Sequence, residues 1–347
     1  MYEDWIRRSA LIRKMNSAAY HYRTNRWRWS LAFRRAASQA PIDRPVFLLG
    51  TQGGGLTIIS RILRRIPITV SATGNSRYWA GYDEMQDVLY DWLPSEFRLN
   101  PLQLPGEQRE TLPSWLYASS RSFDVYHRTA ADASPELGVQ LRQAIQGLIA
   151  MNAPRGLASS PRFIDKSQSF TIRIGLVSAL LRDSGPRFVL ISRDPFAMSW
   201  RAARRLQREP SGAARFSPQE TVALAAEHWS NSMKSALDEA DGAALSWWRF
   251  EDFLREPERI LREICRFAEL PFSARIMPGP ADRIPWGSMW DAYDRSKWYP
   301  LRETANDSYL AEMPEWAAKT VVDRCGSLIE RFGYARSEGH GQVASRS

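Results

Sequence analysis

Short apolar runs recur along the chain, each followed by a stretch of helical periodicity. The runs fall near residues 45–50, 162–166, 187–192 and 245–249. Helical patterns follow from Leu56 to Arg65, from Phe170 to Leu181, from Pro195, and from Glu258 to Phe267, with others near 136–151, 218–240 and 314–332. Strands alternating with helices predict an α/β fold, a mostly parallel central sheet flanked by helices. In such sheets ligands settle beyond the carboxyl ends of the strands. Residues 95–135 break the rhythm with mixed polarity and turns at Pro94, Pro101 and Pro105, as expected of a lid over a site.

The first run ends in an unusual turn, Gly50-Thr51-Gln52-Gly53-Gly54-Gly55-Leu56-Thr57. A helix N-terminus offers unpaired N–H groups and a partial positive charge, so anionic phosphates settle there. Glycines let the backbone wrap the anion without Cβ clashes. From this loop alone, a tight turn with glycines kept for packing reads equally well. The nucleotide triphosphatase loop ends Gly-Lys-Ser/Thr, and no lysine stands here. The dinucleotide fingerprint also fails, because its third glycine is missing from the helix.

Later motifs give the loop its meaning. The loop resembles the phosphosulfate-binding loop of sulfotransferases through Gly50, Thr51, Gly55 and Thr57, with Gly53, Gly54 and Leu56 departing from it at positions usually basic, Ser and Thr. The Arg187–Ser192 run continues into Arg193-Asp194-Pro195, similar to the family's second cofactor motif. Arg162 to Ser167 ends in Asp-Lys-Ser, where the family often has Lys-Thr-Pro. Trp247 to Pro257 and the closing Arg331-Phe332-Gly333-Tyr334 resemble two further family segments. The matches keep the family's order over residues 44 to 334. The resemblance implies a P-loop-like nucleotide-binding sulfotransferase fold over 44–334, preceded by a basic aromatic helical arm (1–43) and followed by a disordered tail (335–347).

It also implies the chemistry. A sulfuryl group would pass from 3′-phosphoadenosine 5′-phosphosulfate to an acceptor hydroxyl, on a glycan, a glycolipid or another hydroxyl compound, with no metal. Thr51, Gln52, Gly53, Gly54, Gly55, Leu56 and Thr57 would hold the 5′-phosphosulfate end, and Arg193 the 3′-phosphate. The family places a serine eight residues beyond that arginine, but position 201 is Arg and Ser199 lies only six on. Those two positions differ by roughly 200° around a helix, so either Ser199 in an irregular first turn or Arg201 reaches the phosphate. Lys166, one of five lysines, would be the cation at the transferring group. Glu84 or Asp83 would be the general base, though both read equally as a helix N-terminal turn before Met85. The pair Glu251-Asp252 reads as structural, neutralising an arginine. Two other classes stay open: a nucleotide-binding relative that has lost catalysis, suggested by Gly53, and a distant kinase.

Composition narrows the partners. The 347 residues carry a formal net charge of +9, concentrated before residue 36 and interleaved with Trp and Tyr. That segment reads as a solvated helix packed on the main domain, or as a contact to an anionic membrane surface. No zinc-finger, RNA-binding or basic recognition pattern points to nucleic acid. Without an apolar run of 18 residues or a secretory leader, the expected location is cytoplasmic. Cys265 and Cys325 read as buried thiols, and the four histidines show no metal spacing.

Overall fold

The computed structural model describes residues 31–74, 84–89, 93–105, 112–154, 156–157, 159–208, 216–240, 244–279, 301 and 303–334. Five strands form one sheet: β1 (Val46–Leu49), β2 (Thr69–Ser71), β3 (Arg162–Asp165), β4 (Arg187–Ser192) and β5 (Leu245–Arg249). Their order is β2-β3-β1-β4-β5, and every pairing is parallel. β1 lies in the middle, with Val46 to Leu49 registered against Arg187 to Leu190.

The uninterrupted apolar character of β1 and β4 follows from burial of both sheet faces. Phe47, Leu49, Phe188 and Leu190 enter the core on one side, which also holds side chains of the helices Pro135–Asn152, Ile174–Leu181, Pro218–Glu239 and Glu315–Cys325. Val46, Leu48, Val189 and Ile191 enter the other, shared with the helices Leu56–Leu63, Phe250–Arg255 and Pro257–Phe267. Phe47 stacks on Phe188 at 5.7 Å between ring centroids, which joins β1 to β4 through side chains as well as backbone. Cys265 and Cys325 are free, buried thiols.

The expected strands are present, and β2 is an addition to them. Three residues long, it pairs at the sheet edge and is too short for a hydrophobic period to show. Two expected helices are divided. Gln168–Ile172 is a 3₁₀ turn before the Ile174–Leu181 helix, and Gly326, at φ +53°, ends Glu315–Cys325 before Leu328–Arg331. Of the N-terminal arm, Leu31–Ser38 is helical and packs against Pro135–Asn152. Gln146 Nε2 also donates to the Ala40 carbonyl at 3.2 Å. The membrane-facing reading of residues 1–36 falls largely outside the described residues, as does the tail 335–347. No helix among the described residues is long and apolar enough to cross a membrane.

A wholly parallel sheet puts every strand's carboxyl end on one edge. The chain leaves β1 towards β3 and β2 on one side, then returns to build β4 and β5 on the other. The segments after β1, β3, β4 and β5 are therefore neighbours at the crevice above β1.

Candidate functional site

Above that edge lies a cavity of about 680 Å³, lined by Thr51, Gln52, Gly53, Gly55, Leu56 and Thr57 from the glycine loop, together with Glu84, Lys166, Arg193 and Arg201. The loop closes on itself through the Gly54 N–H, which donates to the Thr51 carbonyl at 2.9 Å. Gly55 then caps the Leu56–Leu63 helix at φ +92°. No side chain caps this helix, and its first turn holds no acidic residue. Its positive end opens on the cavity.

Arg193 leaves β4 into a buried pocket and is 7 % exposed. Its Nη1 donates to the Gly53 carbonyl at 2.7 Å, its Nη2 to the Ala305 carbonyl at 3.1 Å, and its Nε to Asn306 Oδ1 at 2.8 Å. Burial, and then the neighbouring Arg201, lower its pKa to about 10, so it keeps its charge at neutral pH. Asp194 turns the other way, its Oδ1 accepting from the N–H groups of Phe196 and Ala197 at the start of the Pro195–Arg208 helix. Glu251 accepts from the Asp194 N–H at 3.0 Å, from Asn306 Nδ2 at 2.6 Å and from the Tyr334 hydroxyl at 3.0 Å. The acidic pair is structural here: Glu251 reaches Arg193 through Asn306, and Asp252 pairs with Arg249 at 2.8 Å.

The helix after Arg193 runs from Pro195 to Arg208, so Ser199 and Arg201, two positions apart, face opposite ways. The Ser199 side chain is fully buried and does not line the cavity, and its Oγ has no hydrogen-bond partner among the described residues. Arg201 lines the cavity, and its Nη1 donates to the Gly53 carbonyl at 3.3 Å.

Lys166 and Glu84 form a buried ion pair at 2.9 Å, with side chains 3 % and 10 % exposed. The Asp-Lys-Ser segment itself brings them together. Asp165 Oδ1 accepts from the Met85 N–H at 2.8 Å and Ser167 Oγ from the Gln86 N–H at 3.0 Å, which pins the Met85–Val88 turn to the end of β3. Glu84 is left at the cavity wall beside Lys166. Asp83, the other expected base, lies outside the described residues.

Leu99, Ser114, Trp115 and Tyr117, from the expected lid region, complete the wall beside His228. The His228 ring meets Tyr117 edge-on at 4.6 Å and Trp115 at 6.4 Å. His228 Nδ1 accepts from the Ala118 N–H at 3.2 Å, so the ring proton sits on Nε2. Burial lowers the pKa of His228 to about 3. A neutral ring whose only free nitrogen already carries the proton is no general base. Sequence reasoning missed His228, Gln86, Asn306 and Tyr309 at this site. His228, Asn306 and Tyr309 lie far along the chain with no spacing rule linking them to the loop, and Gln86, two residues after Glu84, carries no motif of its own.

A model of the sulfotransferase family matches residues 45–274, and the chain belongs to that family. Among solved structures, the chain is similar to the sulfotransferase domain of the Synechococcus PCC 7002 olefin synthase, with 17 % identity over 85 % of this chain and 97 % of that one and a TM-score of 0.44. It is similar also to sulfotransferase STF9 from Mycobacterium avium, with 14 % identity over 87 % and 80 % of the two chains and a TM-score of 0.48. No curated protein matches the chain. The segment 275–334, beyond the family match, supplies Ala305, Asn306 and Tyr334 to the surroundings of Arg193.

The loop glycines give one test. A Cβ at Gly55 would lie 2.1 Å from the Phe250 ring, with the backbone at φ +92°. Gly55→Ala should cost ~2–4 kcal/mol of stability in urea unfolding, from backbone strain and overpacking together. Gly156, at φ +75° with nothing within 4 Å of a Cβ, carries strain alone, so Gly156→Ala should cost only ~1 kcal/mol. Gly53 is likewise unsuited to a side chain, at φ +82° with Arg201 Nη1 at 2.1 Å from its Cβ position.

A second test concerns pH. Burial raises the Asp194 pKa from 3.8 to about 6, so the folded state binds this proton more tightly than the unfolded state. Its contribution to stability is greatest below pH 3.8 and is lost as pH rises through 6. Asp194→Asn preserves the cap oxygen and removes the titration. In thermal unfolding, the stability of the wild type relative to Asp194→Asn should fall between pH 4 and pH 7.

Proposed function

We propose that the chain transfers a sulfuryl group from 3′-phosphoadenosine 5′-phosphosulfate to an acceptor hydroxyl. The observation that carries this reading is the buried Lys166–Glu84 pair in the same cavity as the uncapped helix, Arg193 and Arg201. An anion cradle and an acid–base pair in one crevice suit in-line transfer of an anionic group, which is catalysed by positioning and charge rather than covalent chemistry. The loop N–H groups and Thr57 would hold the 5′-phosphosulfate, and Arg193 with Arg201 the 3′-phosphate. The acceptor oxygen bonds to sulfur as the bond from sulfur to the bridging phosphate oxygen breaks. Glu84 takes the acceptor proton, and the Lys166 ammonium offsets the charge left on the bridging oxygen. Leu99, Trp115 and Tyr117 suit an acceptor carrying a ring, a sugar or an aryl alcohol.

Paired measurements test this reading. Calorimetry should find 3′-phosphoadenosine 5′-phosphate bound about 30- to 150-fold more tightly than AMP, the worth of a charge-assisted grip on the extra phosphate. Equal affinities would remove Arg193 from its assigned role. Lys166→Ala should keep the product nucleotide's affinity and lower sulfuryl transfer about 100- to 1,000-fold, because its charge is needed where charge develops. Normal turnover by that variant, with the nucleotide still bound, would leave a nucleotide-binding protein whose cation lies elsewhere.

A further inference from the structure

The hydrogen bonds behind Glu84 run in one direction. Arg173, fully buried after the Gln168–Ile172 turn, is anchored by its Nε on the Tyr126 carbonyl at 3.0 Å and by its Nη2 on the Arg98 carbonyl at 2.9 Å. Its Nη1 donates to Ser169 Oγ at 2.8 Å. Ser169 Oγ donates in turn to Gln86 Oε1, and Gln86 Nε2 donates to Glu84 Oε2 at 2.6 Å. Lys166 holds the other oxygen, Oε1.

The polarity of this chain is fixed by its ends. A guanidinium only donates and a carboxylate only accepts. With an Arg173 N–H occupying a lone pair of Ser169, the Ser169 proton is free for the Gln86 carbonyl. The Gln86 amide can then present only its NH₂ end to Glu84, and a flipped amide would set oxygen against carboxylate. Burial, followed by repulsion from Arg128, lowers the Arg173 pKa to about 9, so the guanidinium stays charged at neutral pH. Glu84 also meets Lys166 from the end of β3 and Gln168 from the following turn, and lies near Tyr117, whose hydroxyl donates to the Gln168 carbonyl at 2.8 Å. Asp165, on β3, is turned to the Met85 N–H.

We infer that Arg173, Ser169 and Gln86 form a positioning relay that holds the Glu84 carboxylate in its reactive orientation. None of the three needs to touch the reacting atoms; Arg173 and Ser169 act through Gln86, and Gln86 through Glu84. The inference rests on the base role of Glu84 proposed above and assigns that role a buried support that the motif pattern does not contain.

A double-mutant cycle on the full chain tests it. The assay follows 3′-phosphoadenosine 5′-phosphate released from the phosphosulfate donor, with 2-naphthol as acceptor and with water alone. Ser169→Ala and Gln86→Leu should each lower kcat about 10- to 100-fold, the worth of a hydrogen bond to a charged group. The calorimetric affinity for 3′-phosphoadenosine 5′-phosphate should stay within about twofold of wild type. In a Glu84→Gln background, either substitution should lower the remaining rate by less than about twofold, because residues acting as one unit are not additive. The same factor lost in both backgrounds, or no loss in the single variants, would overturn the relay. Should Ser169→Ala fail to fold, Gln86→Leu, at a half-buried position, carries the cycle. Full activity in Glu84→Gln would bring down the base role and the relay with it. An inactive Glu84→Gln beside a fully active Ser169→Ala would remove the relay alone.

Discussion

The guanidinium of Arg193 is the point on which the site hangs. Taking it out of water is costly, and the cost is offset only where each donor meets an acceptor. Those acceptors come from distant parts of the chain: the Gly53 carbonyl from the loop after β1, the Ala305 carbonyl and the Asn306 side chain from the C-terminal segment. Glu251, at the end of β5, orients Asn306 and also receives Tyr334, whose hydroxyl lies 2.9 Å from Ser192 Oγ at the end of β4. The Arg193 side chain thus couples three strand ends to the last helices. A phosphate brought to this guanidinium, as proposed above, would replace neutral carbonyl acceptors with a charged one.

The Lys166–Glu84 pair obeys the same rule on the other side of β1. A buried ion pair contributes little stability by itself, since desolvation cancels much of the attraction. Here its surroundings keep both charges where solvent is scarce. Asp165 and Ser167 hold the Met85–Val88 turn by its backbone, and Gln86 and Lys166 each take one Glu84 oxygen. The pair therefore stands at the cavity wall held by its neighbours rather than acting as a clamp for the fold.

The sheet was legible because its strands are buried on both faces. Val46 to Leu49, Phe163 to Ile164 and Phe188 to Ile191 stand out as apolar, and the segments after them, Gly50 to Thr57, Lys166 and Arg193, supply lining residues of one cavity. What stayed hidden has particular causes. β2 is three residues long at an edge, below the length at which periodicity appears. That Arg201 and not Ser199 lines the cavity depends on where the Pro195–Arg208 helix begins, which the sequence pattern does not fix. His228 and Asn306 depend on tertiary packing, and their neighbours in sequence carry no sign of the loop they approach. The Gln86 side chain faces Glu84 because of Ser169, 83 positions away, and local pattern does not encode such a partner.

Gly53 reads differently once Arg201 is in place. In the resemblance to other sulfotransferases the loop normally carries a cation at this position, and its replacement by glycine suggests a weakened site. The geometry offers another account. The Arg201 guanidinium occupies the space where a side chain at residue 53 would begin, and it donates to the carbonyl of that same residue. A side chain at residue 53 would have to displace the Arg201 guanidinium, and the left-handed backbone at Gly53 would strain it further. Glycine in the loop and arginine on the helix are one arrangement, in which a positive charge reaches the cavity from the helix rather than from the loop. Positive charge at the cavity is thereby present without a cation in the loop, carried by a side chain whose backbone lies within the Pro195–Arg208 helix.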